Sequence, residues 1–171
     1  MQDFTTQLVA LHPFFGSVAQ IGGTLLGLIF VALTFNPRTL GMRHDPILRS
    51  LAEQIFSDFV MVMLLSLWLL IPQADTRQIG AVVAAIAVAG MLRFARNSLF
   101  PLLRAPRTVG LQPLQRFWLS LLGHIGFLVA GILLYQHAQP SIVWSALVSS
   151  PILLLVSGAR STWLLVMRSA G

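Results

Sequence analysis

Five apolar stretches, bounded by prolines, polar turns or arginines, divide this chain from end to end. They run from Phe14 to Phe35, Leu51 to Ile71, Ile79 to Leu92 with an extension toward Phe100, Phe117 to Tyr135, and Ser141 to about Met167. A helix needs about 20 apolar residues to cross the hydrocarbon core of a bilayer, and four of the five have them outright. Lipid offers the backbone no hydrogen bonds, so such stretches must fold as helices. The predicted fold is all-α. It is one polytopic transmembrane helical bundle with spans at about 14–35, 51–71, 78–99, 117–135 and 141–167, and residues 1–171 form a single domain.

The arginines set the topology. Ten of the eleven fall on one side of the membrane if the chain crosses five times. Arg38, Arg43 and Arg49 lie between the first two spans, and Arg93, Arg96, Arg104, Arg107 and Arg116 lie between the third and fourth. Arg160 and Arg168 lie toward the C-terminal end, and Arg77 alone is on the far side. Arginine-rich loops stay in the cytoplasm, which predicts an exported N-terminus and a cytoplasmic C-terminus. The third run crosses only if its helix continues past Arg93 and Arg96, with both guanidinium groups reaching back to the headgroups. A re-entrant third run would set the 93–116 arginines against those of the 38–50 loop and erase the asymmetry. Arg96, Arg104, Arg107 and Arg116 are the candidate contacts for lipid headgroups.

Composition excludes several classes of function. Hydrophobic residues make up 56% of the chain and charged residues 9%, against about a quarter charged in soluble domains. The net charge of +6 comes without any lysine and without a basic run beside a soluble fold, so nucleic-acid binding is not expected. There is no cysteine, which removes disulfides and thiolate metal sites. His12, His44, His124 and His137 are scattered over both sides and the interior, so no metal, haem or other cofactor is expected. Gly22-Gly23-Thr24 lies inside a lipid-length run and is not a phosphate loop, and no hydrolase or metalloprotease motif is present. The first sixteen residues carry no Lys or Arg, unlike a cleavable secretory signal. Phe4, Leu8 and Leu11 there share one face of a brief interfacial helix.

Small residues mark where helices approach. Gly23 and Gly27 form a G-x-x-x-G pair in the first span. Ala81, Ala85 and Ala89 repeat at four-residue spacing in the third, and Gly123 and Gly126 share a side of the fourth. These positions serve packing within the bundle or a seam between copies. Pro151 in the fifth run predicts a kink or tilt.

Few polar groups enter the lipid. Asp58 lies about 10 Å beyond the start of the second span, and His124 lies at a similar depth in the fourth. Arg93 and Arg160 approach the same layer, and Glu53 sits at the interface. Gln54, Asp58, Met61 and Leu65 share one helical face, as do Ser150, Ser157 and Arg160. A lone carboxylate at this depth costs several kcal/mol, so Asp58 must pair with Arg93, Arg160 or His124, or carry a proton. The expected polar cluster is Asp58, His124, Arg93, Arg160, Gln54 and Glu53. It is either a static ion pair that fixes helix packing or a proton or ion site.

The stretch Gly23-Thr-Leu-Leu-Gly-Leu-Ile-Phe-Val-Ala-Leu-Thr-Phe-Asn36 resembles the first span of a group of small bacterial inner-membrane proteins. These have a G-L-x-F-V-A core, a short basic loop and a second span, and some are labelled modulators of the FtsH protease. The resemblance covers about residues 14–72 and carries over no catalytic residue. It implies a multi-pass protein of the bacterial cytoplasmic membrane, and the absence of catalytic motifs leads us to expect no enzyme. Such a protein acts as an accessory to a membrane complex or as a homo-oligomer, in contact with membrane lipids. The alternative is a small oligomeric ion channel or proton-coupled transporter using Asp58. The tripeptide Phe56-Ser57-Asp58 also occurs in the first helix of a family of organellar and bacterial potassium channels. Here it lies in the second span, and Arg49 is too far upstream to match that family's arginine, so we read it as coincidence.

Overall fold

The computed structural model describes residues 2–35, 46–71, 75–96, 112–136 and 140–170. Among them there are six helices and no strand: α1 (Gln2–Ala10), α2 (His12–Phe35), α3 (Pro46–Leu70), α4 (Thr76–Phe94), α5 (Gln112–Tyr135) and α6 (Pro140–Ala170). Five of these, α2 to α6, contain windows long and apolar enough to cross a membrane. Those windows are only 28–50% buried within the chain, and Leu28, Phe30, Phe35, Leu92, Ile142 and Val156 all point outward. A surface this greasy is suited to lipid rather than to water. The fold is that of a multi-pass integral membrane protein.

Local chemistry sets the helix ends. Pro13 falls in the first turn of α2, where its missing N–H is harmless. Asp75 caps α4: its backbone is extended (φ −123°, ψ 118°) and its Oδ1 accepts from the Arg77 N–H at 2.9 Å. The cap starts the helix at Thr76, two residues before the expected boundary at 78. The α4 helix is thereby 19 residues long and about 28 Å in length, so it reaches spanning length from its N-terminal end. α3 likewise begins at Pro46, which places Arg49 on a helix and not in a loop. α6 continues unbroken through Pro151 for 31 residues.

Several hydroxyls in the spans bond back to their own helix. Ser17, Thr24, Thr34, Ser150 and Thr162 each donate to the carbonyl four residues earlier, at 2.6–2.8 Å. This makes them tolerable in lipid.

The helices α3, α4, α5 and α6 form a ring. α4 packs along α5, α5 along α6 and α6 along α3, with a lighter contact between α3 and α4. α2 lies against the outside of α3 and barely reaches α6, and α1 folds back on α2. The N-terminal segment is helical as α1, with Leu8 buried in the main core and Leu11, just past the end of α1, packed against it, while the Phe4 side chain lies outside the described residues. Glycines fix the close approaches. A Cβ at Gly80 would stand 2.7 Å from the Gly131 carbonyl and the Tyr135 nitrogen, and one at Gly131 would stand 2.6 Å from the Ala84 nitrogen. The α4 and α5 backbones therefore touch there.

The small-residue expectations divide. Ala81, Ala85 and Ala89 face outward, and the buried face of α4 is Ile79, Gly80, Val83, Ala87, Gly90 and Phe94. The reason is steric: the helix turns its glycines inward because they let α5 come closer than alanine does. Gly123 and Gly126 lie in the α5–α6 seam, against Leu154 and Ser150. In α2 a Cβ at Gly22 would stand in ordinary contact 3.5 Å from the Phe59 carbonyl, while Gly23 meets only Met63 Sδ and Gly27 meets nothing.

Candidate functional site

Inside the ring, α3 and α5 meet through polar side chains. Gln54 and Asp58 are one turn apart on the buried face of α3, and Ser120 and His124 are one turn apart on that of α5. The Gln54 amide Nε2 donates to Asp58 Oδ1 at 2.8 Å and to Ser120 Oγ at 2.7 Å. Ser120 Oγ in turn donates to the same Oδ1 at 2.7 Å. The three side chains close a triangle in which every donor converges on one carboxyl oxygen. Ser120 thus differs from the back-bonded span hydroxyls in bonding across helices.

His124 hangs from the same serine. Its Nδ1 lies 2.7 Å from the Ser120 carbonyl oxygen. A carbonyl only accepts, so Nδ1 carries the hydrogen. Nε2 is then a bare acceptor when the ring is neutral and a donor when it is charged. The ring edge rests where α4 is thinnest: a Cβ at Gly90 would stand 2.6 Å from His124 Cδ2 and 2.6 Å from the Met61 methyl. From α6, Ser157 is close to the Asp58 carboxyl, and the adjacent Gly158 lets the Phe59 ring approach.

Burial is complete. Asp58 and Ser120 are 0% exposed and His124 is 1% exposed. Two atoms of the cluster have no hydrogen-bond partner, Asp58 Oδ2 and His124 Nε2. Both are strong polar groups in an apolar surrounding, where an unmet bond is expensive.

Of the expected cluster, Gln54, Asp58 and His124 come together. The arginines do not join them: Arg93 and Arg160 are exposed. Glu53 turns to Arg49, which donates through Nε at 2.9 Å. Helix phase explains this, since Ser157 and Ser161 hold the inward positions of α6 and Arg160 falls between them. No ion pair to Asp58 exists among the described residues, so the static salt bridge expected there is replaced by neutral donors. Ser120 was not expected, although its place four residues before His124 puts it on the same face. Among the headgroup candidates, Arg96 is exposed, while Arg104, Arg107 and the Arg116 side chain lie outside the described residues. Of the four aromatics expected at the interfaces, Trp118, Tyr135 and Trp163 are exposed, while Trp144 is half-buried against the core.

Among the described residues, no group of three or more His, Cys, Asp or Glu side chains is placed to hold a metal ion. Comparison of the chain with protein-family models, curated proteins and solved structures finds no match in any of the three. Its function must therefore be read from its own chemistry.

Proposed function

We propose that this is a non-enzymatic accessory component of the bacterial inner membrane that works by helix packing, with α2 as its docking helix. In this reading residue 1 is exported, residue 171 is cytoplasmic, and Arg96, Arg104, Arg107 and Arg116 lie among lipid headgroups. One observation carries it: α2 is packed on one side only. Gly22 rests against α3, while Gln20, Thr24, Gly27 and Val31 face away from the rest of the chain. Close backbone approach and a polar amide are what one membrane helix offers another. The likeness of residues 14–72 to accessory proteins of the bacterial inner membrane points the same way.

The chain has no cysteine, so a single introduced thiol reports one position cleanly. Gly27→Cys is expected to form a crosslinked dimer on oxidation in native membranes, and Val156→Cys on the outward face of α6 is not. Monomer alone at both positions, with a native mass in mild detergent that shows no second subunit of any kind, ends this reading.

A second reading is a small oligomeric channel or proton-coupled transporter using Asp58. It is favoured by the buried carboxyl that lacks a cationic partner. Proton or cation flux through reconstituted protein, lost in Asp58→Asn, would establish it.

A further inference from the structure

We propose that Asp58 and His124 together hold one proton inside the ring, reached from the Gln54 and Ser161 end and closed off from the other. This goes beyond packing by α2, and it shares with the second reading only the carboxyl.

Charge balance is the first support. The side chains around the carboxyl are Gln54 of α3, Ser120 of α5 with His124 hung on its carbonyl, and Ser157 of α6. The buried face of α4 contributes Ile79, Gly80, Val83, Ala87, Gly90 and Phe94, none of which titrates. α2 approaches this region with Gly22, Leu25, Leu26 and Ile29. His124 is therefore the one other titratable group turned into this part of the interior among the described residues. A bare carboxylate here would be an uncompensated charge, which membrane interiors reject.

Complementarity of the orphan atoms is the second. Asp58 Oδ2 and His124 Nε2 are the two unmet atoms of the cluster. A protonated Oδ2 is a donor and a neutral Nε2 is an acceptor, and after transfer the roles reverse. The two atoms do not bond each other directly, and in both forms one proton gives each orphan what it lacks through one bridging water. The His124 ring edge and the Met61 methyl converge on Gly90, and Met61 is one turn along α3 from Asp58, so the two groups occupy adjacent levels of the ring.

Polarity along the ring axis is the third. Gln54 and Ser161 are buried one turn from Asp58 and Ser157, toward the end that bears Arg93 and Arg160. In the opposite direction Val62, Leu65, Leu69, Val83, Phe127, Ala130, Leu134, Val143 and Leu147 belong to one apolar core, broken by the buried Ser66 and Ser150 hydroxyls, the second of which is bonded back to the Ala146 carbonyl. A proton has adjoining polar side chains to follow on one side and only isolated hydroxyls on the other. The site binds without conducting, as a sensor does.

The test uses the full chain in lipid vesicles at about pH 7. Infrared spectra with isotope-labelled aspartate report the carboxyl, and nitrogen NMR with labelled histidine reports the ring. Asp58→Asn and His124→Gln assign the signals. The expected result is one proton: a protonated carboxyl with a neutral ring, or a carboxylate with an imidazolium. A carboxylate beside a neutral ring, or protons on both groups, overturns the proposal. The wild-type spectra decide this even if a variant misfolds. Proton flux under an imposed potential is expected to match protein-free vesicles. Flux that disappears in Asp58→Asn overturns the closed site while establishing the transporter. A missing proton counts against the inference and the transporter alike, and leaves docking by α2 untouched.

Discussion

Around Gln54, Asp58 and Ser120 the ring helices meet through hydrogen bonds at 2.7–2.8 Å, whereas around Gly80, Ala84 and Gly131 they meet backbone against backbone. The two regions share α5. In water both would be subordinate to the burial of apolar surface. In lipid that drive is absent, because hydrocarbon tails are as apolar as leucine. What remains is close van der Waals approach and polar bonding, and this chain uses one at each end of its ring. Close approach is strong but has only one arrangement. A polar cluster is conditional, because its fit depends on where protons sit.

Overfilling the dry end gives the largest expected effect. Gly131→Val would place side-chain atoms on the Ala84 backbone, which has no flexible tip to yield. Overpacking usually costs about 1–3 kcal/mol, and backbone against backbone belongs at or above the top of that range. The expected outcome is failure to accumulate in membranes, or a fall of about 3 kcal/mol in unfolding by denaturing detergent. Wild-type stability in this variant would mean that α4 and α5 are not in contact at this level.

The face that α4 presents is the next point of attack. Ala87→Leu, at a fully buried position, is expected to cost about 2 kcal/mol. Ala85→Leu points outward and is expected to change unfolding by less than about 0.5 kcal/mol. Equal effects at the two positions would erase the distinction between seam and lipid face.

This pair also marks what the sequence makes legible. Five spans are plain in the apolar runs, because lipid permits few alternatives. The rotation of each helix is not, since Ala81-Ala85-Ala89 and Gly80-Ala84-Ala87 are equally regular as small-residue patterns. What decides is the neighbour: Gly131 lies far away in sequence and accepts only the closest approach. The polar cluster was half legible for the same reason. Asp58, Gln54 and His124 stand out as polar residues in apolar runs. Whether Arg160 or Ser157 completes the set depends on a rotation of α6 that no periodicity fixes. The Asp75 cap was visible as residues but not as a boundary, and it starts α4 at Thr76; the expected extension from Arg96 toward Phe100 lies outside the described residues.

The smallest effects separate hydrogen bonding from charge at the polar end. Ser120→Ala removes a donor to Asp58 and an acceptor for Gln54, both buried, and is expected to cost about 1–2 kcal/mol. Arg49→Ala breaks the Arg49–Glu53 ion pair, whose side chains are 72% and 36% exposed. Such a pair between neighbouring turns contributes about 0.3–0.5 kcal/mol at most, so the loss should be barely measurable. The neutral serine is then worth more than the full charges one or two turns away, because burial and not charge decides the value of a polar contact. The two variants, compared in detergent unfolding in one lipid, check this ordering. If Arg49→Ala costs more than Ser120→Ala, the cluster around Asp58 is not what joins α3 to α5. The polar end would then owe its order to headgroups and surface charge.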